Sequence, residues 1–271
     1  MSSLSRFGLI VAGCGLGGLV CGSTYGFQAP DAMAGWKIER FNWTGPAAAG
    51  GLKVSNPHGD VRLRPSGDDQ VLVSAVIQRD QNDPMAQDIR IDRDEDDPER
   101  LVVEADWKLT AEGAAVENER MKKRRIDLTV LVPAGGAVWI STDAGLIEAK
   151  GLENPVDVRT VSGEVRLSSS RRVRALAERG EMNITFTGGG WLESSVLEST
   201  TGRITAWLSP EAEVTVRGET TGLITTDFSV EIENAMAPTF RKRAVAEIGG
   251  GGDELILTSA KGDLRILSLP R

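Results

Sequence analysis

Val158-Arg-Thr-Val-Ser-Gly163-Glu-Val165 is one copy of a short pattern that returns along the second half of the chain. An apolar residue is followed by a few Ser or Thr, a glycine, and a further apolar residue two positions on. The other copies read Ile140-Ser-Thr-Asp-Ala-Gly145-Leu-Ile147, Leu197-Glu-Ser-Thr-Thr-Gly202-Arg-Ile204 and Leu257-Thr-Ser-Ala-Lys-Gly262-Asp-Leu264. Weaker copies surround Gly180 and Gly222, and an early one reads Val54-Ser-Asn-Pro-His-Gly59-Asp-Val61. From Gly145 onward the glycines are 18, 17, 22, 20 and 40 residues apart, the last interval being two repeats of 20. A period near 20 residues is the mark of a stacked architecture.

Two residues after each glycine stand Val61, Ile147, Val165, Met182, Ile204, Ile224 and Leu264; four after it stand Leu63, Ala149, Leu167, Ile184, Ala206, Thr226 and Ile266. Apolar positions two apart mark one face of a β-strand. The apolar position ahead of the glycine is usually five residues before it, as at Val54, Ile140, Val158, Leu197 and Leu257. The step from one apolar position to the other is seven, an odd number, so an unbroken strand would turn one of them outward. A bend at the glycine reconciles them. Glycine takes positive φ without a Cβ penalty, and the Ser and Thr beside it can hydrogen-bond backbone in the corner. Each repeat is then strand, corner, strand. No single repeat can bury its apolar face, so the copies stack, with parallel backbone pairing between coils.

The resulting expectation is an all-β chain: a β-solenoid of roughly 20-residue coils over residues 133–271, preceded by a β-rich capping region over 35–132. An antiparallel sandwich with regular turns is the competing architecture. In the capping region Trp36–Trp43 reads as an edge strand and Val71–Ile77 as a strand. Ile89–Ile91 and Leu101–Val103 read as two strands joined by the acidic tip Asp92–Glu99. Lys108–Arg125 reads as a loop or short helix, Ile126–Pro133 as a strand, and Glu233–Arg243 as an insertion. Solenoids leave open sheet edges at their ends, which a cap protects.

Residues 1–34 read as an export segment. Arg6 precedes an apolar stretch from Phe7 to Val20, short for a membrane span and suited to a signal peptide. Three fates are open: cleavage after Ala32-Met-Ala34; lipidation of Cys14, since Val11-Ala-Gly-Cys14 has the form of a bacterial lipobox; or retention as an uncleaved anchor. Both cysteines, Cys14 and Cys21, lie here. Cleavage would leave a chain without disulfides, thiolate metal sites or a cysteine nucleophile. The expected location is the periplasm, cell envelope or cell surface. Membrane association would come through this segment.

The net charge of −8 argues against nucleic acid as a partner. The lone histidine, His58, sits in a repeat corner and reads as a turn residue, so clusters of several histidines around a metal do not arise. Asp92-Arg-Asp-Glu-Asp-Asp97 has the acid alternation of a calcium loop, but Asp97 stands where the loop glycine belongs and Val103 where its last glutamate belongs. It reads as a solvated hairpin tip. Arg120–Arg125 is a basic run, read as a loop offsetting nearby acids. By strand parity Trp139 and Trp207 point outward, where Trp can stack on sugar rings. They form a possible ligand surface, with Cys14 as a possible anchor. No catalytic, cofactor-binding or metal-binding residue is singled out.

The wording of three stretches is similar to that of a bacterial adhesin family of exported β-strand-repeat domains of unknown function. They are Val130-Leu-Val-Pro-Ala-Gly135, Thr160-Val-Ser-Gly-Glu-Val165, and Ile248-Gly-Gly-Gly-Gly252 followed by Thr258-Ser-Ala-Lys-Gly-Asp-Leu264. The resemblance spans about residues 36–269. It implies export, a solenoid-like fold and an envelope role, and carries over no catalytic residue. The functional expectation is a non-enzymatic envelope protein, a binding or envelope-stress module that presents a solenoid face to a protein, glycan or lipid partner. The alternative is a β-helix carbohydrate-active enzyme, a lyase or hydrolase. It would draw on Glu148, Glu164 and Glu181 from adjacent coils.

Overall fold

A computed structural model describes residues 35–109, 123–188, 191, 193–234 and 240–270. The expected export segment, with Cys14, lies outside the described residues. The N-terminal strands are β1 (Trp36–Pro46), β2 (Leu52–Ser55), β3 (Val61–Pro65), β4 (Gln70–Asp80), β5 (Met85–Arg93), β6 (Leu101–Leu109) and β7 (Arg125–Val132). The central repeats supply β8 (Val138–Thr142), β9 (Ile147–Leu152), β10 (Val156–Thr160), β11 (Val165–Ser169), β12 (Val173–Ala177), β13 (Met182–Phe186), β14 (Ser195–Ser199) and β15 (Ile204–Leu208). The remainder are β16 (Val214–Thr220), β17 (Ile224–Thr226), β18 (Glu231–Asn234), β19 (Lys242–Ile248), β20 (Asp253–Ser259) and β21 (Leu264–Ser268). Among the described residues the framework is built of strands, and the fold is all-β.

The strand before each corner glycine joins one sheet and the strand after it joins another. The first sheet runs β1-β4-β7-β3-β9-β11-β13-β15-β21-β17, and the second runs β18-β19-β16-β20-β14-β12-β10-β8-β2-β6-β5. From β7 to β17, and from β6 to β16, every neighbouring pair is parallel. Among the described residues, antiparallel pairs occur only at the ends of the stack. This is solenoid-like stacking, and it sets the sandwich alternative aside.

The bend does what the seven-residue offset requires. Val158, five residues before Gly163, and Val165, two after it, both face the core, 4% and 0% exposed. The equivalent pairs Val54/Val61, Ile140/Ile147, Leu197/Ile204 and Leu257/Leu264 are buried in the same way. Together they form one apolar core between the sheets. Corner hydroxyls hold the turn: Thr160 Oγ1 accepts from Gly163 N at 2.9 Å, Ser199 Oγ from Gly202 N at 2.8 Å, and Ser259 Oγ from Gly262 N at 2.8 Å. All three hydroxyl residues are buried.

The reason for glycine differs from the expectation. Positive φ occurs at Gly59, Gly145 and Gly180 but not at Gly163, Gly202, Gly222 or Gly262. What the corner glycines share is a close approach to the neighbouring coil. A Cβ on Gly145 would collide with the Gly59 carbonyl oxygen; one on Gly163 with that of Gly145, one on Gly180 with that of Gly163, and one on Gly202 with that of Gly180. Gly262 meets Gly202 and Gly222 meets Gly262 in the same way. The glycines form a ladder up one corner of the stack.

That ladder also shows that chain order and stacking order part company. The interval from Gly202 to Gly262 was expected to hold successive coils. Instead β20 and β21 slot between the β14/β15 coil and the β16/β17 coil, and β18 and β19 take the place of the extra repeat. Part of the expected insertion, residues 235–239, lies outside the described residues. β19 and β20 are consecutive in the chain yet flank β16 on opposite sides. Their link passes under the start of β16 at Gly249–Gly252, where Gly249, Gly250 and Gly251 have φ of 63°, 95° and 80°. Apolarity accounts for the arrangement: Leu264 and Ile266 are buried in the interior slot, whereas Ile224 and Thr226 are only half-buried at the stack end.

The N-terminal end repeats the device. β3 and β4 are consecutive but flank β7, and the coil made by β2 and β3 lies between the coil of β6 and β7 and that of β8 and β9. Parallel pairing of β2 with β8 and of β3 with β9 joins the N-terminal strands to the central repeats.

Gly163→Ala and Gly202→Ala are each expected to cost about 1–3 kcal/mol through overpacking against the next coil, measured by urea unfolding. Gly67→Ala, with open space around it, is expected to be near neutral. A chain ending at Ile248 leaves the interior slot empty. It is expected to aggregate, and addition of a peptide spanning 249–271 to restore a soluble fold, read by gel filtration.

Candidate functional site

Outward side chains of the second sheet fall into rows, because the coils stack in register. Lys53, Trp139, Asp157, Arg174 and Val196 stand side by side on β2, β8, β10, β12 and β14. Two residues further along the same strands stand Ser55, Ser141, Arg159, Leu176 and Glu198. Relative to the corner glycine the rows are the −6 and −4 positions of five coils. Over this face lies an open groove of about 770 Å³, lined by these rows, Ser55 excepted, with Arg172 and Glu193.

Ion pairs fix one wall. Arg172, its side chain 14% exposed, reaches Asp157 at 3.0 Å and Glu193 at 3.2 Å. Arg174 approaches Glu193 only to 3.8 Å. Arg159 and Glu198 are exposed, with no ion-pair partner among the described residues. Leu176 is one of few large apolar side chains exposed, at 37%.

Next to Lys53 and Trp139, outside the groove lining, the acidic hairpin tip folds around a cation. Arg100 binds Asp94 at 3.3 Å and Asp97 at 2.9 Å, and its guanidinium lies 4.3 Å from the centre of the Trp139 ring. Asp94 is buried. The backbone N–H of Asp96, at 3.0 Å, followed by Lys53 and Arg100, holds its carboxyl below the usual range. The tip is thus a cation-centred turn. Among the described residues no group of three or more His, Cys, Asp or Glu is placed to hold a metal.

Trp139 and Trp207 both point outward, as parity predicts, but they do not share a surface. Trp207 is on β15 of the first sheet, where its Nε1 donates to Asn183 Oδ1 at 2.9 Å. The structure therefore does not bring the two together: Trp139 is on the second sheet and Trp207 on the first. One face of the Trp139 ring is already stacked by Arg100.

The three glutamates considered for catalysis lie on the first sheet's outer side, each engaged by a cation. Glu148 pairs with Arg64 and with Lys150, the latter at 3.0 Å. Those cations, Arg64 foremost, push its carboxyl down to about 2. Glu164 pairs with Arg166 at 2.6 Å and Glu181 with Arg203 at 3.4 Å. His58 is an exposed corner residue, joined to Ala144 by a parallel bridge. Of the basic run, Arg125 binds Asp127 at 2.6 Å and Asp60 at 3.1 Å, and Arg124 approaches Asp83 at 3.6 Å; residues 120–122 lie outside the described residues.

Sequence reading singled out Trp139 but missed Lys53, Arg100, Arg159, Arg174 and Glu198. Most of them were within reach: the −6 and −4 positions could have been aligned across coils as the apolar ones were. Arg100 was not, because it approaches from a hairpin outside the repeats.

No family model and no curated protein matches the chain. Its fold is similar to the crystal structure of a putative cell adhesion protein from Clostridium sporogenes. That likeness has a TM-score of 0.50 at 11% identity and covers 86% of this chain and 100% of that one. A looser likeness, TM-score 0.33 at 12% identity, covers 86% of this chain and 97% of a putative adhesin from Bacteroides fragilis. The likeness to the Clostridium sporogenes protein is one of fold.

Glu148→Gln removes a carboxylate whose folded-state value lies below 4.5. Such a group stabilises the fold above its unfolded value and loses that contribution as pH falls toward about 2. The parent chain is expected to lose about 1 kcal/mol between pH 4.5 and 2 from this pair, and the variant not to, measured by unfolding across that range.

Proposed function

We propose that this chain is an exported, non-enzymatic binding module of the cell envelope that presents the outer face of its second sheet to a protein, glycan or lipid partner. The observation that carries the reading is the groove spanning five stacked coils, with cations, acids, Trp139 and Leu176 arrayed in register. The likeness to a protein described as acting in cell adhesion supports it, as does the export segment read in residues 1–34. In this reading the coils repeat at roughly 20 residues. β1 and β4 on one sheet and β5 on the other cap the N-terminal end. The enzymatic alternative draws no support from Glu148, which is held ionised and is therefore a poor proton donor.

The test is retention of the purified chain on cell-wall sacculi, lipid vesicles and solubilised envelope proteins, each at low and physiological salt. Salt-resistant retention on one fraction is expected, reduced by Trp139→Ala and unchanged by Trp207→Ala on the opposite face. Absence of retention on all three overturns the proposal.

A further inference from the structure

We propose that the groove on the second sheet binds an extended glycan carrying sparse carboxylates; this deepens the binding-module reading above and rests on it. Three features select that chemistry. The groove holds four cations, Lys53, Arg159, Arg172 and Arg174, against three acids, Asp157, Glu193 and Glu198. Such a mixture, on a chain of net charge −8, repels a densely charged polyanion. It still leaves individual arginines for individual carboxylates. Arg172 is consumed by its acids, but Arg159 is without an ion-pair partner among the described residues, and Arg174 meets its glutamate only at 3.8 Å. Arginine's planar fork suits a carboxylate.

The second feature is the supply of acceptors. Glu198 is exposed, with no ion-pair partner among the described residues, and Ser141 stands in the same row. Carboxylate and hydroxyl oxygens accept hydrogen bonds from sugar hydroxyls. Leu176 and Val196, with the Trp139 ring, add apolar surface for the C–H faces of sugar rings. The third is spacing. Neighbouring strands repeat at about 4.8 Å, close to the advance of one sugar residue along an extended chain. Successive coils therefore offer contacts to successive sugars.

The experiment is equilibrium titration of the full chain with hyaluronan and glucuronoxylan oligomers, with their carboxyl-reduced forms, and with polyphosphate. The expected result is binding of at least one acidic oligomer, with the carboxyl-reduced form about tenfold weaker, a step of about 1.4 kcal/mol. The variant Arg159→Gln/Arg174→Gln is expected to show a similar loss with an unchanged melting curve. Arg166→Gln on the opposite sheet is expected to bind as the parent does. Equal binding of reduced and acidic oligomers, or tighter binding of polyphosphate, overturns the ligand class while leaving a binding groove. Failure of every oligomer, with retention on an envelope fraction intact, overturns the glycan and leaves the module. Failure of both overturns the module itself.

Discussion

The stack depends on the closeness of its coils at one corner. Parallel strands on two sheets can remain in register over many coils only if the turns between them stack at the same spacing. At this corner the backbone of one turn rests on the glycine carbonyl of the next. A side chain there would hold the coils apart just where both ladders pass through. Burial of the adjacent hydroxyls follows from the same crowding. Gly163 and Gly202 are buried, so their N–H groups need a protein acceptor, and Thr160 and Ser199 supply it, as Ser259 does for the half-buried Gly262. The recurring Ser/Thr and glycine are thus two parts of one requirement.

The ends obey a different logic. A simple solenoid exposes an edge at each end and can fray from its terminal coil. Here the first repeat, β2/β3, and the last, β20/β21, are each held between two other coils, so each must break four ladders to leave, where a terminal coil would break two. At one end β6 and β7 lie outside that repeat and are continued by antiparallel β5, β4 and β1; at the other β16 and β17 lie outside it, with antiparallel β19 and β18 beyond β16. The four-glycine link under β16 makes this route possible at the C-terminal end.

The two outer faces have diverged on a common framework. On the first sheet, acids and bases neutralise one another within and between coils, as in the Asp60, Arg62, Arg125 and Asp127 cluster and the pairing of Glu148 with Arg64 and Lys150. On the second, Arg159 and Glu198 stand beside an exposed leucine and a tryptophan braced by Arg100. Register makes both faces possible, since a repeat that fixes the inward residues also aligns the outward ones into rows.

Strand, corner and inward face were legible in the repeats because they follow from local periodicity: Val158 and Val165 had to share a core whatever their neighbours. The glycine ladder was visible as a pattern, but its cause was not, since the clash that excludes a side chain involves a carbonyl in another coil. The outward rows were readable in principle, and Trp139 was found, but its separation from Trp207 required knowing which strand entered which sheet. By itself the sequence determined an all-β chain of stacked strand–corner–strand units. Only the tertiary structure decided the order of stacking, the interior place of the first and last coils, and the meeting of Arg100 with Trp139. Those depend on contacts between segments far apart in the chain, where competition for the most buried slot, rather than local pattern, selects the neighbour.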